Sequence, residues 1–241
     1  MPEPETTPAV SLASITTSST EVVTTTVAKT KKKRPDDSPD VKLSKGLSQT
    51  LRHGAEKQGI TLASQGFASV SELLAHSKFK PYTFEDIKRV VDSNAKKRFT
   101  LAPIETIESP DPNDPSHWQI KANQGHSLKS VEDPGLKPLL KPEDFPEIVL
   151  HGTSIAAWQQ IKETGISRMK RNHIHMASGR PGDDHVVSGV RNNAKVLIFI
   201  NCQAALDLGI PFFLSENGVI LSPGNKQGII PPSVFLKVEG V

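Results

Sequence analysis

Leu51-Arg52-His53-Gly54 and Leu150-His151-Gly152-Thr153-Ser154 each set a histidine beside a glycine, about a hundred residues apart. Imidazole titrates near neutral pH and can give or take a proton. Glycine lets a backbone approach a ligand closely or turn sharply. Between and after them lie three further strings: Lys121-Ala-Asn-Gln-Gly-His126, His173-Ile-His175-Met-Ala177 and Ser188-Gly-Val-Arg191. Together the five strings hold five histidines and three cations, Arg52, Lys121 and Arg191, and no carboxylate. That balance suits a polyanionic substrate, because cations and imidazoles stabilise phosphate charge. A site built to activate water more often carries acids. His173, His175 and His151 could form a metal trio, but the strings contain no Asp or Glu to complete the shell. Cys202 has no partner at ligand spacing, and Asp183, Asp184 and His185 make a polar loop with weak claims, so no metal is expected. No GxSxG elbow and no GxGxxG after a strand are present, which disfavours a serine hydrolase and a Rossmann dinucleotide site.

These residues need elements to hold them. Leu43, Leu47, Leu51 and Ala55 recur every four residues and mark the buried face of a helix that Gly59 can end. Arg52 and His53 follow Leu51 and so project off that stripe. Ser69-Val-Ser-Glu72 reads as a capping box before a short helix through Leu73 and Leu74. Phe84, Ile87, Val90 and Val91 give a third amphipathic helix after Thr83. The period then changes, and Phe99–Leu101 and Trp118–Ile120 read as strands around a loop rich in Pro, Asp and Asn. Three helices followed by a hairpin is the order of a winged-helix module, although fold alone does not settle function.

Residues 134–146 carry four prolines with charged spacers and read as a linker. Beyond them, Ile148–Leu150 is a short strand, and Thr153 or Ser154 can cap a helix through Trp158 and Ile161 that stops at Gly165. His173 to Met176 alternates like a strand with both histidines on one face. Lys195–Ile200, Phe212–Leu214, Val219–Leu221 and Val234–Leu236 supply further strands, and Asn217-Gly218 is a hairpin turn signal. The expected class is α+β: a tail at 1–40, a winged-helix lobe at 41–133, a linker at 134–146 and a strand-rich lobe at 147–241.

The tail is rich in Ser and Thr and too poor in large apolar groups to form a core, so disorder is expected. Its run Lys31-Lys32-Lys33-Arg34-Pro35 reads as a solvated charge run, a nuclear import signal or a loose RNA contact. The formal net charge of +3 permits an anionic partner. A single cysteine excludes a disulfide framework and favours a reducing compartment. No run of 18 apolar residues and no signal-peptide pattern occurs, so a cytoplasmic or nuclear protein with no membrane span is expected.

Taken together the strings are far more specific than any one alone. The chain resembles the RNA 2′-phosphotransferase family, its eukaryotic members in particular, over about residues 42–238. The resemblance rests on Leu51–Gly54, Ala122–Ser127, His151–Thr153, His173–Met176, Ser188–Arg191 and Ile210–Phe213 through Ser215–Ile220, in that order. It implies a winged-helix lobe joined to an ADP-ribosyltransferase-like lobe that binds NAD⁺, consumed as a cosubstrate. It implies removal of the 2′-phosphate left at the splice junction of ligated tRNA; the expected partner is 2′-phosphorylated tRNA or other RNA, and the expected state a monomer. The RNA 2′-phosphate would attack the nicotinamide ribose at C1″ and expel nicotinamide. The ribose O2″ would then attack that phosphorus, giving RNA with a free 2′-OH and ADP-ribose 1″,2″-cyclic phosphate.

By the same resemblance, Arg52, His53, Lys121 and Arg191 match the family's catalytic Arg-His-Arg-Arg set. His151, Gly152, Thr153, His175, Ser215 and Asn217 fall in the NAD⁺ site, and Asn123, Gln124 and His126 on the RNA. Two roles are open to His53, protonating the leaving 2′ oxygen or donating to the phosphate. Lys121 departs from the family pattern, keeping the charge and losing the bidentate fork of arginine. Two rival classes are a mono-ADP-ribosyltransferase acting on protein or nucleic-acid phosphate, and a non-catalytic RNA-binding protein. The Arg52-His53 pair argues against the first, since plain transfer needs no phosphate-expelling step.

Overall fold

The computed structural model describes residues 37–131, 135–183, 186, 188–190 and 193–240. The expected tail, its basic run, Asp184, His185 and Arg191 lie outside the described residues, apart from residues 37–40. Helix α1 (Pro39–Gln49) begins within that stretch, with proline at the first turn and the Ser38 side chain accepting from the Val41 N–H. Leu43, Leu47, Leu51 and Ala55 are all buried, as their spacing requires. After Gln49 the helix widens into one π turn over Thr50–Gly54 and tightens over Glu56–Gln58. The wide turn keeps Leu51 in the core while re-aiming Arg52 and His53, a use of π geometry common at functional sites.

Strand β1 (Ala68–Ser69), helix α2 (Val70–Ala75), helix α3 (Phe84–Asp92) and strands β2 (Phe99–Pro103) and β3 (Trp118–Ala122) complete the first half. The β2–β3 hairpin pairs Phe99 with Ala122 and Leu101 with Ile120, and β1 joins the far edge of β3. One apolar cluster runs from Leu43 to Val131 and holds this half together. The capping box expected at Ser69 is not formed. Ser69 Oγ pairs with Ser71 Oγ, and the Glu72 carboxylate accepts from the Thr61 N–H at 2.9 Å. A complete box stands instead at α3, where Thr83 and Asp86 satisfy each other's backbone N–H groups.

The second half contains β4 (Lys137–Leu139), β5 (Leu150–Thr153), α4 (Ile155–Thr164), β6 (Ile166–Ser167), β7 (Ile174–Met176), β8 (Val196–Ile200), α5 (Cys202–Asp207), β9 (Phe212–Leu214), β10 (Ile220–Ser222), β11 (Ile229–Ile230) and β12 (Phe235–Glu239). All of the named strands pair antiparallel, in the orders β4-β9-β10-β7, β11-β6 and β12-β8-β5. With the helices this makes the class α+β. The proline-rich stretch read as a linker contributes β4, an edge strand on β9, where proline is tolerated. A bridge between Leu150 and Ala177 links β5 to the end of β7 and brings two histidine strings side by side. Ser154 is the cap of α4, and Asn201 turns the end of β8 directly into α5.

Thr83→Ala is expected to lower the unfolding free energy by about 1 kcal/mol, the usual value of an N-cap. Ser69→Ala, which removes no cap bond, should change it by less than half of that. Urea denaturation of both variants checks the difference.

Candidate active site

Arg52 lies half-buried at the π turn, with the loop Gln124-Gly125-His126 laid over it. A Cβ on Gly125 would stand 3.4 Å from Arg52 Cδ and Nε, and the backbone there has φ 92°, so the contact suits glycine on both counts. The Arg52 carbonyl accepts from the Ser127 N–H, and His53 Nδ1 is hydrogen-bonded with Ser127 Oγ, each at 2.9 Å. Arg52 Nε and Nη2 are shut off from solvent and have no hydrogen-bond partner among the described residues. Burial, followed by the charges of Arg98 and Arg171, pulls the guanidinium down to about 10.

Two imidazole nitrogens share that situation. His126 Nε2 and His175 Nε2 are shielded and without a partner among the described residues. Burial is the first cause holding both rings far below the usual histidine range, to about 4 for His126 and about 3 for His175. His126 also feels Arg52, His53, His173 and Lys121; His175 feels Arg171, Arg52, His173 and His151. His53 is lowered by burial and then by Arg52 and Arg171. The separate strings therefore converge on one electropositive region.

His151 reaches this region from β5. Its Nδ1 donates to the His175 carbonyl at 2.9 Å, which sets the ring's orientation across the gap between β5 and β7. A Cβ on Gly152 would stand 2.3 Å from Val190 Cγ2, so glycine is what lets the Ser188–Val190 segment pack against β5. The Thr153 carbonyl accepts from the Lys195 N–H at the end of the β5–β8 pairing.

Other candidate residues tie the halves together. Lys121 is 1% exposed. Its ammonium pairs with Glu216 at 2.7 Å and lies 4.9 Å from the centre of the Phe67 ring. Glu216 sits in the β9–β10 turn, and Thr100 Oγ is 2.5 Å from its other oxygen and 2.7 Å from Asn123 Oδ1. Asn123 Nδ2 donates to the Lys97 carbonyl, and Asn217 Nδ2 to the Lys96 carbonyl, each at 3.0 Å. Ser215 Oγ is taken up inside the turn by Asn217, Val219 and the backbone. Gln124 is buried beside Gly125. Asn172 adds a second bridge, donating from Nδ2 to the Leu128 and Val131 carbonyls and from its N–H to the His126 carbonyl.

Arg98 and Arg171 are absent from the sequence motifs, and Glu216 lies within the Ser215–Ile220 motif without having been assigned a role, yet all three take part here. The alternation of His173 and His175 carried two residues back would have reached Arg171. Arg98 had no local signal, and the motif around Glu216 gave no sign of its partner Lys121, which only the docking of the halves brings near. Among the described residues no three His, Cys, Asp or Glu come together as a metal-binding group.

Half-buried Arg52 and Arg98 and the imidazoles of His126 and His175, with the Glu216 carboxylate held by Lys121 and Thr100, form a site chemically suited to an anionic group. Comparison with known proteins makes this specific. The model of the RNA 2′-phosphotransferase, Tpt1 / KptA family matches residues 38–224, and the chain belongs to that family of enzymes. It is 43% identical to tRNA 2′-phosphotransferase 1 of Danio rerio, over 86% of this chain and 88% of that protein. The corresponding protein of Bos taurus is 47% identical, over 83% of this chain and 75% of its own length. The tRNA 2′-phosphotransferase of Saccharomyces cerevisiae is 38% identical over 84% of each chain.

Arg52→Met should make the ligand-free protein more stable, by about 1 kcal/mol, because it removes a poorly solvated cation that no acid among the described residues offsets. Stability should also fall with pH. His126 and His175 stay neutral in the fold but bind protons near 6.5 when unfolded, so acid favours the unfolded chain from about 6.5 down toward 4. A His126→Gln variant should show a shallower loss between those values. Thermal melts of parent and variants across that range check both outcomes.

Proposed function

We propose that the protein removes the 2′-phosphate from the splice junction of ligated tRNA and transfers it to NAD⁺. The observation that carries this reading is the convergence of Arg52, His126 and His175, whose shielded nitrogens lack partners among the described residues, in a member of the RNA 2′-phosphotransferase family. A buried cation without a counter-charge is unfavourable in the free protein. It becomes favourable when a phosphate fills the place of the missing acid.

In this proposal the first half is a winged-helix lobe that presents RNA, and the second an ADP-ribosyltransferase-like lobe that holds NAD⁺. His151, Gly152, Thr153 and His175 line the NAD⁺ side. Their part is to fix the nicotinamide ribose against the RNA 2′-phosphate, since positioning supplies much of the rate of such a displacement. Nicotinamide leaves as the phosphate oxygen bonds to C1″. Arg52 then stabilises the charge that builds on phosphorus as ribose O2″ attacks it, with Arg191 joining by the family pattern. His53, fixed by Ser127, donates to the phosphate or protonates the departing RNA 2′ oxygen. Lys121, held on Glu216, adds positive charge near His126 and sets β3 against the β9–β10 turn.

A short RNA with one internal 2′-phosphate, mixed with NAD⁺, tests the reading. The expected products are 2′-OH RNA, nicotinamide and ADP-ribose 1″,2″-cyclic phosphate. A stable ADP-ribosylated RNA as end product would instead identify a transferase, and no reaction a binding protein. Arg52→Met should slow the second step by about 100-fold or more, as loss of a transition-state donor does. The ADP-ribosylated RNA should then accumulate on a gel of labelled substrate. His151→Ala should mainly raise the KM for NAD⁺.

A further inference from the structure

The turn between β6 and β7 breaks a local rule. Arg168, Met169, Lys170 and Arg171 form a tight turn closed by the Arg171 N–H donating to the Arg168 carbonyl at 3.1 Å. Met169 occupies its second position with φ 55° and is 80% exposed. Left-handed backbone costs a residue with a Cβ roughly 1–2 kcal/mol, and Gly, Asn or Asp usually fill such positions. Met169 accepts that strain and also leaves a large apolar side chain in water, with little packing to offset either. Strain of this kind persists where the surroundings enforce it, and it concentrates at contact sites.

Beside this turn lies a cleft of about 420 Å³ lined by Lys129, Arg168, Asn172, His173, Asn225 and Lys226, with no carboxylate in its walls among the described residues. Three separate segments build it, and each is braced. The Arg168 N–H donates to the Gly228 carbonyl at 3.0 Å, and Arg168 Nη1 to the Arg171 carbonyl at 2.9 Å. Asn225 Oδ1 accepts from the Gln227 and Ile229 N–H groups, which sets the β10–β11 turn. Asn172 ties the third segment, near Lys129, to the same wall. The cations thus stand on a frame already in place before any ligand arrives. His173, edge-on to Phe213 at 5.9 Å, stands in this wall two residues before His175 and so joins the cleft to the Arg52 region.

An internal 2′-phosphate has RNA on both sides of it, so the strand must cross the surface next to the pocket. We propose that this cleft holds the phosphodiester backbone of the RNA flanking the 2′-phosphorylated nucleotide, and that Met169 packs against the adjacent base. This rests on the phosphotransferase reading. Backbone contacts position a strand without reading its sequence, and an exposed methionine is one of the apolar side chains that wedge against base steps.

The test uses the full chain with three proteins: the parent, a Lys129→Ala/Lys226→Ala double variant and Met169→Gly. Fluorescence anisotropy measures binding to a 2′-phosphorylated RNA hexamer and to a 2′-phosphorylated dinucleotide over a range of salt. The double variant should bind the hexamer about tenfold more weakly. Its slope of log affinity against log salt should fall by about 1.4, for two phosphate contacts at about 0.7 each. Dinucleotide affinity and turnover should stay unchanged. Met169→Gly should weaken the hexamer about threefold without changing the salt slope, and should melt at a higher temperature than the parent. Equal losses on both oligonucleotides, no loss on either, or a raised KM for NAD⁺ with RNA binding intact would each overturn the proposal. A Met169→Gly protein that gains stability and loses no affinity would remove Met169 from the site. A parent that binds both RNAs but releases no phosphate would sink the functional reading, while the affinity comparison would still decide the cleft.

Discussion

A half-buried guanidinium facing other cations is the constraint on which this structure turns. Arg52 is drawn inward because its neighbours Leu51 and Ala55 belong to the core of the first half. The π turn lets the core residues stay in phase while Arg52 points elsewhere. Gly125 closes over the side chain because a Cβ there would press on it in an unfavourable backbone conformation. The result is a charge whose hydration is reduced and whose electrostatic neighbours, Arg98 and Arg171, repel it. Such an arrangement is stable in a fold only because the rest of the molecule makes up the deficit.

The way the halves are joined preserves that charge imbalance. Glu216 comes close enough to the cationic region to neutralise part of it, yet its carboxylate is taken by Lys121 and Thr100. Asn217 and Asn172 dock the second half through backbone carbonyls, which adds no acid. Hydrogen bonds to carbonyls satisfy buried polar groups without altering net charge. The junction is therefore held by polar contacts while the site stays electropositive. The shielded nitrogens of His126 and His175 follow the same rule, since burial and nearby cations keep both rings neutral and able to act toward a ligand.

The family match accounts for why these features occur together. An RNA 2′-phosphotransferase handles a phosphate that carries more charge than the diesters around it. Cations gathered where the described residues place no free acid suit a group of that charge. Neutral imidazoles add hydrogen-bonding atoms without further repulsion among the arginines.

Much of this was legible in the sequence. The four-residue recurrence of Leu43, Leu47, Leu51 and Ala55, the helix after Thr83, a cap at Thr153 or Ser154, the Asn217-Gly218 hairpin and the strands around His175 all follow from short-range periodicity and turn chemistry, which depend on neighbours in the chain. The absence of carboxylates from the histidine strings was legible too, since it is a matter of residue type alone. Other features were not legible. The π turn at Arg52, the strand formed by Lys137–Leu139 and the failure of Ser69 to cap α2 each depend on what another segment offers across space. The place of Lys121 shows this most clearly. Its type and motif aligned it with a phosphate clamp, but Glu216, 95 positions later in the chain, determines where its ammonium rests. A charge is set by residue type, whereas its partner is set by the packing of the two halves. The sequence alone determined which groups carry charge or a titratable ring, and the tertiary structure decided which of them, among the described residues, stand without a counter-charge.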